Sequence, residues 1–329
     1  MQDITIARDR RSGVSVIIPV YNSEQTLFGL ASRLASVLSV CADQFEVIFI
    51  NDGSRDHSWE VINHLADTYA WVYGLNLARN YGQHNALLCG IRAAQHAFIV
   101  TLDDDLQNPP EEIPKLLAAL DQGYDMVYGT PQMIQHDLWR KLASRVTRLA
   151  LKKAMGIQIA SSVSPFRAFR TSARESFANY QNSYVSVDVL LSWGTACFTA
   201  IPVRHEARQV GVSNYTFSKL VVHALNMLTG FSVWPLRLAS LIGFFFTFFG
   251  VGVLVYVVGR YLIQGDRVAG FPFLASVIAI FSGAQLFSLG IIGEYLARMH
   301  SKTMERPSYV IRDSRRGSSP KANGERKGA

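Results

Sequence analysis

Hydrophobic positions in the first 130 residues follow two alternating spacings. Short β-rich runs are separated by longer segments in which apolar residues recur at helical spacing. The first such segment carries its apolar residues at Leu27, Leu30, Ala31, Leu34 and Leu38. The pattern predicts strands at residues 14–18, 45–50, 71–77 and 98–102, with further helices at 58–69 and 83–95. This alternation is typical of an α/β domain with a largely parallel sheet.

Two long apolar blocks follow late in the chain. Residues 238–259 and 268–293 contain no charged side chain, and each block exceeds the roughly 20 residues that a helix needs to cross a bilayer. A buried core helix is the alternative, but residues 243–249 are apolar on every side, whereas helices of soluble proteins usually keep a polar stripe. We therefore predict two membrane spans, joined into a hairpin by the short connection at 260–267.

Basic residues after the second block predict the orientation of the hairpin. The tail carries more Lys and Arg than Asp and Glu, which favours a cytoplasmic position for the tail and for the domain before the hairpin. Residues 1–13 are polar and contain no secretory signal. The tail could contact anionic lipid or nucleic acid, but a solvated anchor is the more ordinary interpretation, and we expect no nucleic-acid partner. The predicted location is the inner membrane.

An amphipathic pattern precedes the first apolar block. Its apolar face consists of Leu220, Val221, Ala224, Leu225 and Leu228. A helix lying in the membrane interface is predicted here, and an ordinary core helix is the alternative. The expected organisation is a polar arm at 1–13, the α/β domain at 14–216, the interfacial helix at 217–235, the two-helix hairpin at 236–296 and a basic tail at 297–329.

Composition excludes several classes of protein. The 329 residues are 49% hydrophobic and 17% charged, with a formal net charge of +7, which excludes a disordered or collagen-like chain. Cys41, Cys89 and Cys197 lie among mostly apolar neighbours without metal-type spacing. They are therefore interpreted as reduced packing residues of a cytosolic domain.

Polar residues follow each of the four predicted strands. The polar runs are residues 19–24, 51–56, 79–84 and 103–107. A single run of this kind is explained by turn-forming residues. Ligands of parallel sheets, however, bind beyond the carboxyl ends of the strands, so four such ends in succession indicate a functional site.

Three consecutive aspartates, Asp103, Asp104 and Asp105, follow the fourth predicted strand. In an extended chain Asp103 and Asp105 point to the same side, which suits a hard divalent cation that also holds substrate phosphates. The alternative is a helix N-cap ahead of Pro109 and Pro110, a task that Asn108 can perform instead. No Walker-type glycine-rich loop occurs, which argues against an ordinary P-loop nucleotidase.

The runs at 101–114 and 79–84 carry a resemblance to a known family. They resemble family-two glycosyltransferases with the GT-A fold, and more narrowly the polyprenyl-phosphate branch. That branch includes undecaprenyl-phosphate glucosyl and 4-deoxy-4-formamido-L-arabinosyl transferases and dolichol-phosphate mannosyltransferases. The resemblance spans about residues 14–310. It implies a GT-A catalytic domain at 14–216, with a Rossmann-like, mostly parallel sheet, followed by two transmembrane helices.

The resemblance also implies a reaction and its participants. The expected reaction is an inverting transfer of a sugar from a nucleotide-sugar, most simply a UDP-sugar, to a polyprenyl phosphate such as undecaprenyl phosphate. Mg²⁺ or Mn²⁺ is the implied cofactor, the lipid membrane is a partner, and a homo-oligomer is plausible. The product would be a lipid-linked sugar for the cell envelope. The alternatives are a processive polysaccharide synthase, whose Arg-Trp motif is missing from the sequence, and a non-catalytic, membrane-anchored nucleotide-binding scaffold.

Site residues are carried over from the resemblance by position. The residues implied to bind the nucleotide-sugar are Pro19, Tyr21, Asn22, Asp52, Asn80, Asp104, Arg208 and Lys219. Those implied to hold the metal are Asp103, Asp105 and Gln107, and those implied to bind the lipid phosphate are Arg140, Ser144 and Arg145. The implied catalytic residues are Asp103, Asp105 and Arg167. Since Arg167 lies between Phe166 and Phe169, we also expect it to have an ionic partner.

Three positions depart from the family pattern. Ser23 and Asn51 stand where relatives carry acids, and Ser161 stands where relatives often carry an aspartate proposed as the base. A phosphate monoester has a second pKa of about 6, so its oxygen is already an anion at neutral pH and needs no base. We therefore predict direct in-line attack by the lipid-phosphate oxygen on the anomeric carbon.

Overall fold

The computed structural model describes residues 13–131, 162–182, 184–206, 233–264 and 270–317. The chain divides into two compact units. The first contains Met1–Phe217 together with Arg306–Ala329, and the second contains Ser218–Glu305.

In the described part of the first unit, an eight-stranded sheet forms the centre. In chain order the strands are β1 (Val14–Val20), β2 (Phe45–Asn51), β3 (Val72–Leu77), β4 (Phe98–Thr101), β5 (Met126–Pro131), β6 (Arg167–Arg170), β7 (Phe198–Val203) and β8 (Ile311–Arg316). Their spatial order is β7-β5-β6-β4-β1-β2-β3-β8. Strands β1 to β4 are parallel, whereas β6 runs antiparallel to β4 and β5, and β8 runs antiparallel to β3. The predicted mostly parallel sheet is confirmed.

Helices cover both faces of this sheet. They are α1 (Leu27–Cys41), α2 (Ser58–Thr68), α3 (Gln83–Ala93), α4 (Ile113–Asp121) and α5 (Val187–Gly194), with short 3-10 helices at Pro110–Glu112 and Thr171–Phe177. Successive strand residues point to opposite faces. Val16 and Ile18 of β1 therefore pack in the core beneath α1, α2 and α4, while Ile17 packs in the core beneath α3 and α5. Burial on both faces explains the continuous apolar runs of these strands.

The C-terminal segment contributes β8 at the edge of the sheet. Its pairing with β3 joins Tyr73 to Arg316 in register, and the Arg316 guanidinium lies 4.4 Å from the centre of the Tyr73 ring. Arg315 forms an ion pair with Asp67 at 2.6 Å. The interpretation of the tail as a solvated anchor did not include this strand, because its six residues are polar or exposed and carry no apolar pattern.

Two long helices make up the described part of the second unit, α6 (Trp234–Gln264) and α7 (Phe271–Thr303). Each contains a stretch long and apolar enough to cross a membrane, Trp234–Arg260 with mean hydropathy 2.4 and Ile280–His300 with mean hydropathy 1.3. The helices approach closely at Gly250, where an added Cβ would lie 2.8 Å from Cζ of Phe281. The two candidate spans agree with the prediction of two apolar C-terminal helices, and the hairpin stays a prediction. The predicted interfacial helix lies outside the described residues, except that Trp234 and Pro235 begin α6.

Candidate active site

The loops after β1 and β2 are joined at the carboxyl edge of the sheet. The Asn22 side-chain oxygen accepts a hydrogen bond from the Arg55 backbone N–H at 2.8 Å, and the Asn22 N–H donates to the Ser54 hydroxyl at 3.0 Å. Asn22 has a φ of 55°, in the left-handed region that asparagine tolerates better than most residues. Asn22 therefore shapes the loop beside Tyr21, which is exposed.

Asp52 fastens the loop after β3 to the end of β2. One carboxylate oxygen accepts the Tyr81 N–H at 2.7 Å and the other accepts the Gly82 N–H at 2.8 Å, and the residue is only 2% exposed. Burial raises the pKa of Asp52, although these two N–H groups act in the opposite direction. Gly53 allows the same close approach, since a Cβ there would lie 2.5 Å from the Asn80 nitrogen. Asn80 is thereby placed at the site edge.

Replacing Asp52 by Asn should loosen this loop. The amide oxygen can accept one of the two N–H groups, but the amide NH₂ would face the other, donor against donor. We expect a loss of about 1–2 kcal/mol in the free energy of unfolding. Thermal unfolding measures this loss. D43N, on the exposed bend before β2, is the control and should keep the wild-type stability.

The three aspartates after β4 each have a different hydrogen-bond partner. Asp103 accepts from the Gln83 side-chain amide at 2.7 Å. Asp104 accepts from the Tyr21 N–H at 3.2 Å, and Asp105 accepts from the Gln107 N–H at 3.1 Å. Burial raises the pKa of Asp104, which links the end of β4 to the loop after β1.

The backbone that carries the three aspartates does not have the extended conformation expected from the sequence. Strand β4 ends at Thr101, and residues 104–105 form a turn that continues through Leu106, whose φ is 60°. The extended-chain argument for Asp103 and Asp105 therefore does not apply. Both carboxylates nevertheless lie at the carboxyl end of β4, as the sequence predicts.

Contacts from the segment after β7 support the turn at Asp105. The Glu206 N–H donates to the Gln107 carbonyl at 2.8 Å. Arg204 forms a 2.8 Å ion pair with Glu112, whose side chain is buried. The sequence offered no signal for these contacts, since β7 and the aspartates are about a hundred residues apart.

Arg167 has the ionic partner that its aromatic neighbours led us to expect. It is 1% exposed and forms an ion pair with Asp188 of α5. Its Nε donates to the Thr101 hydroxyl at 3.0 Å, and the Tyr128 hydroxyl donates to Asp188 at 3.1 Å. The sequence does contain a signal for Asp188, which is a lone carboxylate in the apolar run Val187, Val189, Leu190 and Leu191. A carboxylate in such a run needs a buried partner.

The sequence matches a known family and several curated proteins. The profile of the family described as "Glycosyl transferase family 2" matches residues 15–177. The chain is 36% identical over 304 residues to the undecaprenyl-phosphate 4-deoxy-4-formamido-L-arabinose transferase of Shewanella sediminis, covering 91% of this chain and 92% of that protein. The chain belongs to glycosyl transferase family 2. This family 2 protein is also 34% identical over 301 residues to the transferase of the same name from Yersinia pestis, with the same two coverages.

The chain also resembles solved structures. Glucosyl-3-phosphoglycerate synthase of Mycobacterium tuberculosis matches with a TM-score of 0.49 and 17% identity, covering 67% of this chain and 78% of that chain. Structures of that synthase contain Mn²⁺ with UDP-glucose, or Mg²⁺ with UDP. The family assignment rests on the sequence relatives, and it makes this protein a glycosyltransferase, as predicted.

The structure brings together only part of the predicted site of this glycosyltransferase. Tyr21, Asn22, Asp52, Asn80 and the three aspartates lie at one edge of the sheet, whereas Pro19 is buried within β1. Residues that lie outside the described part of the chain are Arg140, Ser144, Arg145, Ser161, Arg208 and Lys219. The roles in binding and catalysis assigned to all of these residues stay predictions. The catalytic role assigned to Arg167 also stays a prediction, and the structure places this residue in a buried ion pair with Asp188.

The donor set at the end of β4 fits a magnesium-type ion. The described residues contain no group of three or more His, Cys, Asp or Glu side chains that would hold a metal ion by themselves. A metal at this site would therefore need ligands from the substrate. Asp103 and Asp105 are both half-buried and offer hard oxygen ligands, with Gln107 beside them. Mg²⁺ is commonly held by one or two carboxylates, with substrate phosphates and water completing the octahedron. The two aspartates therefore suit a cation that arrives with a diphosphate.

Proposed function

We propose that this glycosyltransferase transfers a sugar from a UDP-sugar to undecaprenyl phosphate at the cytoplasmic face of the inner membrane. The observation that carries the proposal is the edge of the sheet where Asp104 accepts from the Tyr21 N–H and Asp103 accepts from Gln83, next to the loop that Asp52 holds. Two long apolar helices in the same chain are consistent with an acceptor whose tail stays in the bilayer. Two curated relatives that each match 91% of this chain are named undecaprenyl-phosphate 4-deoxy-4-formamido-L-arabinose transferase, a name of this reaction class.

The residues at the site bind and align the substrates. The loops fixed by Asn22 and Asp52 form the nucleotide side of the site, and the aspartates after β4 face the diphosphate. A bound Mg²⁺ or Mn²⁺ would be held by Asp103 and Asp105 and would neutralise charge on the departing nucleoside diphosphate. The acceptor phosphate is itself the nucleophile, since one of its oxygens is anionic near neutral pH. Alignment and exclusion of water are then the main tasks of the protein.

Product and stereochemistry follow from direct attack. One oxygen of the lipid phosphate forms a bond to the anomeric carbon while the bond from that carbon to the nucleotide diphosphate breaks. The configuration at the anomeric carbon is therefore inverted. Arg140, Ser144 and Arg145 are proposed to hold the lipid phosphate, because guanidinium groups bind phosphate oxygens through paired hydrogen bonds.

A transfer assay with the purified full-length protein tests this proposal. The protein in nanodiscs is given undecaprenyl phosphate, Mg²⁺ or Mn²⁺, and a panel of UDP-, GDP- and dTDP-sugars. We expect nucleoside diphosphate release from a UDP-sugar that needs both metal and lipid, together with one new lipid species. Repeated addition of sugar would favour a processive synthase, and failure to bind any nucleotide would contradict the enzyme assignment.

A further inference from the structure

A buried polar row crosses three strands directly behind the aspartates. Thr101 of β4 is paired in register with Arg167 of β6, and Arg167 is paired with Tyr128 of β5. Residues opposite each other in a sheet project from the same face. Helix α5 packs on this face and contributes Asp188, which contacts Arg167 and Tyr128.

The charges of this row are balanced within the protein. Arg167 and Asp188 are 1% and 5% exposed, so neither charge is solvated by bulk water. Burial opposes the charge on Arg167, yet the negative charges of Asp188 and Asp103 keep its pKa above the ordinary value. Burial also raises the pKa of Tyr128 well above its ordinary value, so the phenol is neutral and serves as a hydrogen-bond donor.

The row reaches the aspartates through Thr101 and Asp103. Arg167 donates to the Thr101 hydroxyl, which itself donates to the Pro165 carbonyl at 2.6 Å. Asp103 follows Thr101 by two residues, and its carboxylate acts electrostatically on Arg167. Without a buried counter-ion, the positive charge of Arg167 would attract the Asp103 carboxylate. The same charge would repel a divalent cation bound to that carboxylate.

We propose that Asp188 is a positioning residue that neutralises Arg167, so that the Asp103 carboxylate remains available to a divalent cation. The inference rests on the metal in the proposed function. Asp188 touches neither metal nor substrate in this proposal and acts through Arg167. The reaction therefore depends on a carboxylate that lies on α5, outside the strand-end loops.

The variant D188N tests this inference by changing charge with little change in shape. In full-length protein with UDP present, free Mn²⁺ measured by electron paramagnetic resonance gives the metal affinity. We expect D188N to bind Mn²⁺ at least about tenfold more weakly than the wild type. The double variant R167M/D188L removes both charges and should bind Mn²⁺ within about threefold of the wild type, because no uncompensated cation remains.

A matched control separates charge from stability. Glu46 is also buried, and its carboxylate accepts a hydrogen bond from the Ser15 hydroxyl at 2.8 Å. It lies at the amino end of β2, away from the aspartates. E46Q should lower the unfolding temperature without changing the Mn²⁺ affinity. Wild-type affinity in D188N, or equal weakening in D188N and R167M/D188L, would overturn the inference. A wild type that binds UDP but no Mn²⁺ would overturn the metal assignment of the proposed function and this inference with it.

Discussion

Replacing Asp105 by Asn should lower the rate of sugar transfer by about a thousandfold or more, because the variant loses the carboxylate proposed to hold the metal that neutralises the departing diphosphate. The substitution removes the charge of Asp105 but keeps a hydrogen-bond acceptor at the same position. The Asn side-chain oxygen can still accept the Gln107 N–H that Asp105 accepts at 3.1 Å. The turn after β4 is therefore retained, and the negative charge is what the variant removes.

The measurement for D105N is the initial rate of nucleoside diphosphate release at saturating donor, lipid and metal. Thermal unfolding in the absence of ligands should give the wild-type midpoint. D105A is a useful companion, since it loses the turn hydrogen bond as well as the charge and should unfold at a lower temperature. D43N, on the exposed bend before β2, should keep the wild-type rate. Turnover of D105N at the wild-type rate would contradict the assignment of Asp105 to the metal.

The parallel half of the fold could be predicted closely from the sequence. Strands β1 to β4 are covered on both faces, so each is a continuous apolar run ended by polar residues. The predicted ends of these four strands lie within two residues of the observed ones. Because parallel strands end at one edge, the same reasoning located Tyr21, Asp52 and the aspartates together.

Long-range pairing explains what the sequence did not reveal. Strand β8 reads Ile-Arg-Asp-Ser-Arg-Arg and is exposed along its length, so its place beside β3 depends on backbone pairing and on exposed contacts of Arg315 and Arg316. The carboxylate of Asp52 was visible as a candidate ligand, but its hydrogen bonds to the Tyr81 and Gly82 backbone could not be read from residue types. The partner of Arg167 was expected, and its identity required the packing of α5 on the sheet.

Replacing Arg167 by Met should destabilise the domain by about 3–5 kcal/mol, because it leaves Asp188 buried without its counter-ion. For a domain of this size the unfolding midpoint should fall by about 10 °C. The Met side chain fills much of the space of the Arg stem, so a cavity contributes little to the loss. Thermal unfolding of the purified full-length protein, followed by intrinsic fluorescence, measures the shift.

The double variant R167M/D188L distinguishes the charge from the packing. When both members of a buried ion pair are replaced by apolar residues of similar volume, the cost of the uncompensated charge disappears. The Tyr128 hydroxyl then loses its acceptor, which should cost about 1–2 kcal/mol, so recovery should be large but incomplete. Adding Y128F to the double variant removes that remaining polar group and should recover most of the rest. If R167M and R167M/D188L unfold at the same temperature, the buried charge is not the cause, and Arg167 stabilises the sheet through its bond to Thr101 and its packing instead.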